Sequence, residues 1–288
     1  MKETEKTVED IILSNDRKNI AVLKPYLPAD FCGQATRLLE GQSGNILIVT
    51  GFVILAVGQP ETDGPPGALA IGEALKKLGN KVYYVTDSFT APLMQAFTSD
   101  PEDVITFPLT DPAASEQYAR ELLDRLHPPV VISIERCGLT EDGNYLNMAR
   151  KDISQYNAKI DYLFYHHNRT IGIGDGGNEI GMGNLAQVIP GFDRLPPKPC
   201  LTKTTQLIIA SVSNWGGYGL VAALSRQVKR NLLPSPADEK KLIARMVELG
   251  AVDGMKGERV DKVDGFSLEE NAEVLVELHQ WLKRQGVS

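Results

Sequence analysis

Cysteine and histidine are scarce in this chain, with three of the first and four of the second in 288 residues. Cys32, Cys137 and Cys200 are far apart and have no C-x-x-C spacing. That excludes a disulfide framework and a thiolate zinc site, and points to plain thiols in a reducing compartment. His166 and His167 are adjacent, so on an extended segment they face opposite ways and cannot share a metal. There is no H-E-x-x-H, no serine in a G-x-S-x-G and no cysteine in a nucleophile context. Long apolar runs are missing too: the longest, Ile46 to Val57, is too short to cross a bilayer. The first ten residues lack both the apolar stretch of a signal peptide and the Arg-rich bias of a transit peptide, so the expectation is a cytoplasmic protein with no membrane contact. No Lys/Arg run tracks phosphates, and a formal net charge of −7 argues against nucleic acid as a partner.

What remains is a chain with 42% hydrophobic and 23% charged residues, enough for a sizeable core and typical of a globular protein. Its first forty residues carry helix-spaced apolar positions (Val8, Ile11, Ile12, Ile20, Leu23) interrupted by Pro25 and Pro28, then a short helix near Asp30 to Glu40. From Asn45 the pattern becomes continuous apolar runs separated by amphipathic stretches. Strands are expected at 46–50, 82–86, 104–107, 130–134, 170–174 and 207–212, with helices between them and three more near 217–230, 237–249 and 267–285. Buried strands alternating with helices imply an α/β fold: a three-layer, mostly parallel, Rossmann-like sheet with helices on both faces. Residues 1–44 read as a helical N-terminal extension and 45–288 as one α/β domain, since the proline-rich stretch Pro190 to Pro199 is followed by another core strand.

Ligands of an open parallel sheet bind beyond the carboxyl ends of its strands, and every unusual polar cluster falls there. The first strand leads to Thr50-Gly51-Phe52 and then Glu61-Thr62-Asp63-Gly64-Pro65-Pro66-Gly67 before a helix; Asp63 is either that helix's cap or part of an anion site at its N-terminus. The fourth leads to Glu135-Arg136, an ion pair or a carboxylate clamp, then to the turn signal Asp142-Gly143-Asn144. The sixth leads to Ser213-Asn214-Trp215-Gly216-Gly217, an N-cap or a ligand contact. The fifth runs into Ile171 to Asn184, where six of fourteen residues are glycine, interleaved with Asp175, Asn178, Glu179 and Asn184. Gly172, Gly174 and Gly177 form a literal G-x-G-x-x-G. A dinucleotide site would need a helix, a further strand and an acid at its end, whereas here Asp193 sits in the proline-rich loop and Asp175 would repel a pyrophosphate. A polar small-molecule or metal-ion site suits the cluster better.

Together these four segments resemble the C-terminal domain of D-glutamate cyclase and its stand-alone bacterial relatives, over roughly Asn45 to the C-terminus. Two departures stand out. The eukaryotic enzyme carries a further N-terminal domain related to hydro-lyases, and the segment Pro-Gly-Arg-Ala that follows Glu-Arg in the family is Cys137-Gly138-Leu139-Thr140 here. The resemblance implies a carbon–oxygen lyase that closes D-glutamate, or a related amino-dicarboxylate, to 5-oxo-D-proline and water.

On that reading Asp175, Glu179 and Glu135 are the candidate acid/base carboxylates. Arg136 is expected to bind a substrate carboxylate. The Gly64, Gly67, Gly176 and Gly177 amides are candidates to stabilise developing charge, and Asp63, Asp142, Asn144, Asn178, Ser213 and Asn214 to contact the substrate. Two alternatives stay open. One is a Mg²⁺- or Mn²⁺-dependent enzyme on a carboxylated or phosphorylated metabolite, with Asp63, Glu135, Asp142, Asp175 and Glu179 as oxygen donors. The other is a non-catalytic small-ligand-binding module. No cofactor is certain, a divalent cation is the possible one, the partner is a small-molecule substrate, and homo-oligomers are compatible with the sequence.

Overall fold

The computed structural model describes residues 5–287. Its centre is a six-stranded parallel sheet of β1 (Asn45–Val49), β4 (Lys81–Thr86), β5 (Val104–Thr106), β6 (Val131–Ile134), β7 (Thr170–Gly174) and β8 (Gln206–Ile209). Two small antiparallel pairs complete the strands: β2 (Val53–Ile54) with β3 (Gln59–Pro60), and β9 (Lys262–Val263) with β10 (Phe266–Ser267). The main order is β5-β4-β1-β6-β7-β8, so it reverses direction between β1 and β6. In-register pairing runs from Asn45 opposite Lys81 to Val49 opposite Val85, and from Leu47 opposite Val131.

Strand side chains alternate between faces, and here both faces are apolar. Ile46, Ile48, Ile132 and Ile134 enter one core, against α1 (Val8–Ile12), α2 (Phe31–Leu39), α3 (Pro65–Lys77), α7 (Ser213–Val228), α8 (Pro236–Glu248) and α9 (Leu268–Arg284). Leu47, Val49 and Val131 enter the other, against α5 (Pro112–Leu126) and α6 (Asp161–Tyr165). A short α4 (Ala91–Gln95) lies between β4 and β5. The expected α/β three-layer architecture is therefore present. No helix among the described residues is long and apolar enough to cross a membrane.

The segment expected as an extension is built into this core. Val8, Ile11, Ile12, Phe31 and Ala35 are buried in the first cluster, α1 packs on α7 and α9, and the Ser211 amide donates to the Ile12 carbonyl at 2.9 Å. α3 and α7 cross closely because Gly67 and Gly217 face each other: a Cβ on Gly67 would lie 3.0 Å from Asn214 Cα, and one on Gly217 3.1 Å from Gly67 Cα. That crossing brings the N-termini of both helices to the carboxyl edge of the sheet.

Candidate active site

A cavity of 470 Å³ opens beyond the carboxyl ends of β1, β6 and β7, where the strand order reverses. Glu61, Glu135, Asp175, Glu179 and Asp264 line it, together with Lys18 and Asn178. Asp63, Glu135 and Asp175 each offer an oxygen within 4.8 Å of the others, and all three are buried.

Each is held by its local chain. Asp63 precedes α3 but serves α7: its carboxylate accepts from the Ser213 amide at 2.9 Å and the Asn214 amide at 2.8 Å. In exchange the Asn214 Oδ1 accepts from the Gly64 and Gly67 amides at the start of α3, at 3.0 and 2.8 Å. Each helix is thus capped by a side chain from the start of the other. Glu135 leaves β6 with φ of 44°, a left-handed conformation that a glutamate adopts only under constraint; Ser213 Oγ donates to its Oε2 at 2.5 Å. Asp175 follows β7, and Lys18 donates to both its oxygens at 2.8 and 2.7 Å and to Asp264 at 2.7 Å.

Burial is the main force on these groups. It pushes Asp63 up to about 7, with the Asp264 charge adding to the rise and Lys18 and the two α7 amides opposing it. Glu135 is raised well above the usual carboxylate range by burial, then by Glu179 and Asp63. Asp175 is raised likewise by burial, against the pull of Lys18, and Glu61 by burial and the charge of Glu135. For Lys18 burial works against the charge, but Asp175, Asp264, Glu135 and Asp63 outweigh it and hold the ammonium protonated far above neutrality. The result is a set of close buried carboxyl groups, Asp63, Glu61, Glu135 and Asp175, each pushed up by burial, beside the Lys18 ammonium.

The glycine cluster does not cradle a ligand with its amides. Gly176 N donates to Glu179 Oε1 at 2.7 Å and Gly177 N to Glu179 Oε2 at 2.8 Å, so the loop wraps its own glutamate. A short antiparallel pairing of Cys137 with Glu179 fixes that turn against the end of β6. The expectation that these amides stabilise substrate charge is corrected, and so is that for Gly64 and Gly67, whose amides Asn214 already occupies.

Arg136 is also corrected. It is fully buried away from the cavity and donates to Asp87 Oδ2 at 2.5 Å, Gly51 O at 2.9 Å and Ala158 O at 3.0 Å. It ties the ends of β1 and β4 together and has no reach to a substrate. Asp142 lies on the surface beside Lys198 at 2.5 Å, and Asn144 is exposed; neither lines the cavity. Ser213 and Asn214 act through Glu135, Asp63 and α3 and are not cavity-lining residues. Asn178 does line it, with its Oδ1 buried and unpartnered while its Nδ2 donates to Leu146 O at 3.1 Å. The departing segment Cys137-Gly138-Leu139-Thr140 is likewise absent from the lining.

Three site residues have no counterpart among the sequence candidates. Lys18 sits between two helical stretches, where the Asp16 carboxylate accepts from the Lys18, Asn19 and Ala21 amides at 3.0, 2.8 and 2.8 Å and fixes the turn. No pattern marked it. Glu61 lies in the polar segment before α3, where nothing local sets it apart from its neighbours. Asp264 had a signal: Asp264-Gly265 between Val263 and Phe266 is the Asp-Gly of a two-residue hairpin, and both residues have positive φ, 52° and 76°.

Comparison with known proteins gives three findings. A family model described as D-glutamate cyclase-like, C-terminal, matches residues 8–279. The human protein D-glutamate cyclase, mitochondrial, is 30% identical over 264 residues, which is 77% of this chain and 43% of that protein. The chain thus spans less than half the length of this relative. Among solved structures, an exopolyphosphatase-related protein from Bacteroides fragilis aligns with a TM-score of 0.42 at 11% identity, covering 91% of this chain and 58% of that one. A likeness that loose bears on nothing below.

Proposed function

Because the chain belongs to the D-glutamate cyclase-like, C-terminal family, we propose that it catalyses the intramolecular dehydration of D-glutamate to 5-oxo-D-proline. The observation that carries this reading is the close set of buried carboxyl groups Asp63, Glu135 and Asp175, of which Glu135 and Asp175 line the cavity. In this reaction the α-nitrogen bonds to the carbon of the γ-carboxyl group (Cδ), and one oxygen of that carboxyl group leaves as water. The ammonium loses two protons, and the departing oxygen takes up two. No net proton is exchanged with solvent, so the catalyst's task is to carry protons from nitrogen to oxygen. Close carboxyl groups pushed up by burial suit that task, one accepting while a neighbour donates.

Asp175 and Glu135 are assigned the acid/base roles, because both line the cavity and share the cluster. Asn178 Oδ1, buried and without a partner, accepts from the substrate nitrogen and orients it. Lys18 balances the negative charge of the floor, and Arg17, Lys151 and Arg194 supply positive charge in the cavity wall for the α-carboxylate. Holding both ends of the substrate favours the folded conformer that brings the nitrogen to the carbon of the γ-carboxyl group. Glu179 keeps a supporting part, organising the loop that carries Asp175.

Incubation with D- and with L-glutamate, following loss of primary amine and appearance of 5-oxoproline, tests the reading. Turnover of the D-isomer is expected. Asp175→Asn and Glu135→Gln should each lower kcat by about 10²- to 10⁴-fold while circular dichroism stays native. Absence of turnover with either isomer, or full activity in both variants, would overturn it.

A further inference from the structure

We propose that Asp63, Glu135 and Asp175 form a binding site for one divalent cation of the Mg²⁺/Mn²⁺ class, next to the unpartnered Glu61 carboxyl of the same cavity. The inference deepens the cyclase reading and rests on it only for the ion's role, not for its binding.

Three separate elements present the three carboxylates: the loop before α3, the end of β6 and the end of β7. Lone pairs remain on each. Asp63 Oδ2 accepts only the Ser213 amide, Glu135 Oε1 accepts nothing, and the two Asp175 oxygens accept only from Lys18. Their oxygens lie within 4.8 Å of one another. An octahedral ion with bonds of about 2.1 Å spaces its ligand oxygens by about 3 to 4.2 Å, so a small closure completes the geometry.

Glu61 is an independent pointer to a ligand. It is only 5% exposed and lines the same cavity, yet its Oε1 has no hydrogen-bond partner. A buried polar oxygen without a partner is rare and calls for an explanation. No local backbone or side chain supplies one here, and a cation would. The wider charge balance agrees: Glu61, Glu135, Asp175, Glu179 and Asp264 line the cavity, Asp63 is buried beside Glu135 and Asp175, and Lys18 is the cation that pairs with Asp175 and Asp264. The chemistry of the donors selects the ion. All are carboxylate oxygens, and no histidine or cysteine lines the cavity among the described residues, which suits hard cations and disfavours zinc or copper. Bound there, the ion would neutralise the γ-carboxylate in place of a donated proton, with Glu135 and Asp175 ionised as its ligands and their free oxygens left to accept protons from the nitrogen.

The experiment titrates the chelator-treated, dialysed 288-residue chain with MnCl₂ in the absence of substrate. Binding is followed by calorimetry and by loss of the free-Mn²⁺ electron paramagnetic resonance signal. One ion per chain is expected, competed by Mg²⁺ and weakened at least tenfold in Asp175→Asn and in Glu135→Gln. Glu61→Gln, isosteric, should weaken it severalfold. Lys18→Met, which removes the competing ammonium, should bind Mn²⁺ at least as tightly as the parent. No Mn²⁺ binding, or binding that none of the carboxylate variants alters while their circular dichroism stays native, would overturn the site. Turnover of D-glutamate by protein that binds no metal would overturn the ion and leave the cyclase. One tightly bound ion without turnover of either isomer would do the reverse.

Discussion

Arg136 was expected in the cavity and is instead a fully buried ion-pair partner of Asp87. The sequence carries an equal signal for both roles, because Glu135 and Arg136 sit side by side at a strand end and only the twist of the chain decides which side chain turns inward. Glu135 turns to the cavity through its left-handed backbone, and Arg136 turns to Gly51 and Asp87. Arg136→Ala should therefore lower stability by about 3–5 kcal/mol, since it strands the buried Asp87 carboxylate; urea denaturation reads this. A true substrate clamp would raise KM at unchanged stability. A second residue, Glu239, is buried at a distance from the site, and its carboxyl is pushed up to about 8 by burial, with the hydrogen bond from Tyr218 opposing the rise. Because the folded state holds this proton more tightly than the unfolded chain does, its contribution is fully present below pH 4.5. It is lost as pH climbs through 8. Glu239→Gln should remove that dependence, leaving the variant up to about 4 kcal/mol more stable relative to the parent at pH 9 than at pH 4. Chemical denaturation at both pH values measures it.

At the scale of elements, the period of the apolar residues located the six strands and the long helices within a few residues, because burial on both faces leaves an unbroken run that little else produces. Helix termini were less legible. Asp63 stands where a cap of α3 belongs, yet Gly64 is that N-cap, and Asp63 caps α7, about 150 residues away in the chain. The reciprocal partner, Asn214, crosses back to α3. Propensity describes what a residue can cap, whereas the close crossing at Gly67 and Gly217 determines which helix it meets. Asn214→Ala leaves the buried Gly67 amide unpaired and the Gly64 amide with Asp63 Oδ1 alone, at a cost of about 2 kcal/mol. Hydrogen exchange should show lost protection over residues 64–68, and activity should fall because Asp63 moves with that turn. Unchanged exchange would refute the exchange of caps.

For the molecule as a whole, residues before Asn45 fill the core and deliver Lys18 to the acidic floor. A chain shortened to begin at Asn45 is expected to lose its cooperative thermal transition, since it uncovers α7 and β8 and leaves Asp175 and Asp264 without their cation; a sharp transition near that of the parent would contradict this. The sequence by itself determined the three-layer α/β class and the carboxyl edge of the sheet as the place to look, and it named Asp63, Glu135, Asp175 and Glu179 among the carboxylates there. Those features are local: each strand's hydrophobic run and each polar cluster that follows it are contiguous in the chain. Tertiary structure alone decided that Lys18, Glu61 and Asp264 join them, and that the glycine loop encloses Glu179. It also turned Arg136 away from the site. Those outcomes depend on which segments approach one another across the strand reversal, and burial there lifts the pKa of Asp63 to about 7, which no window of sequence encodes.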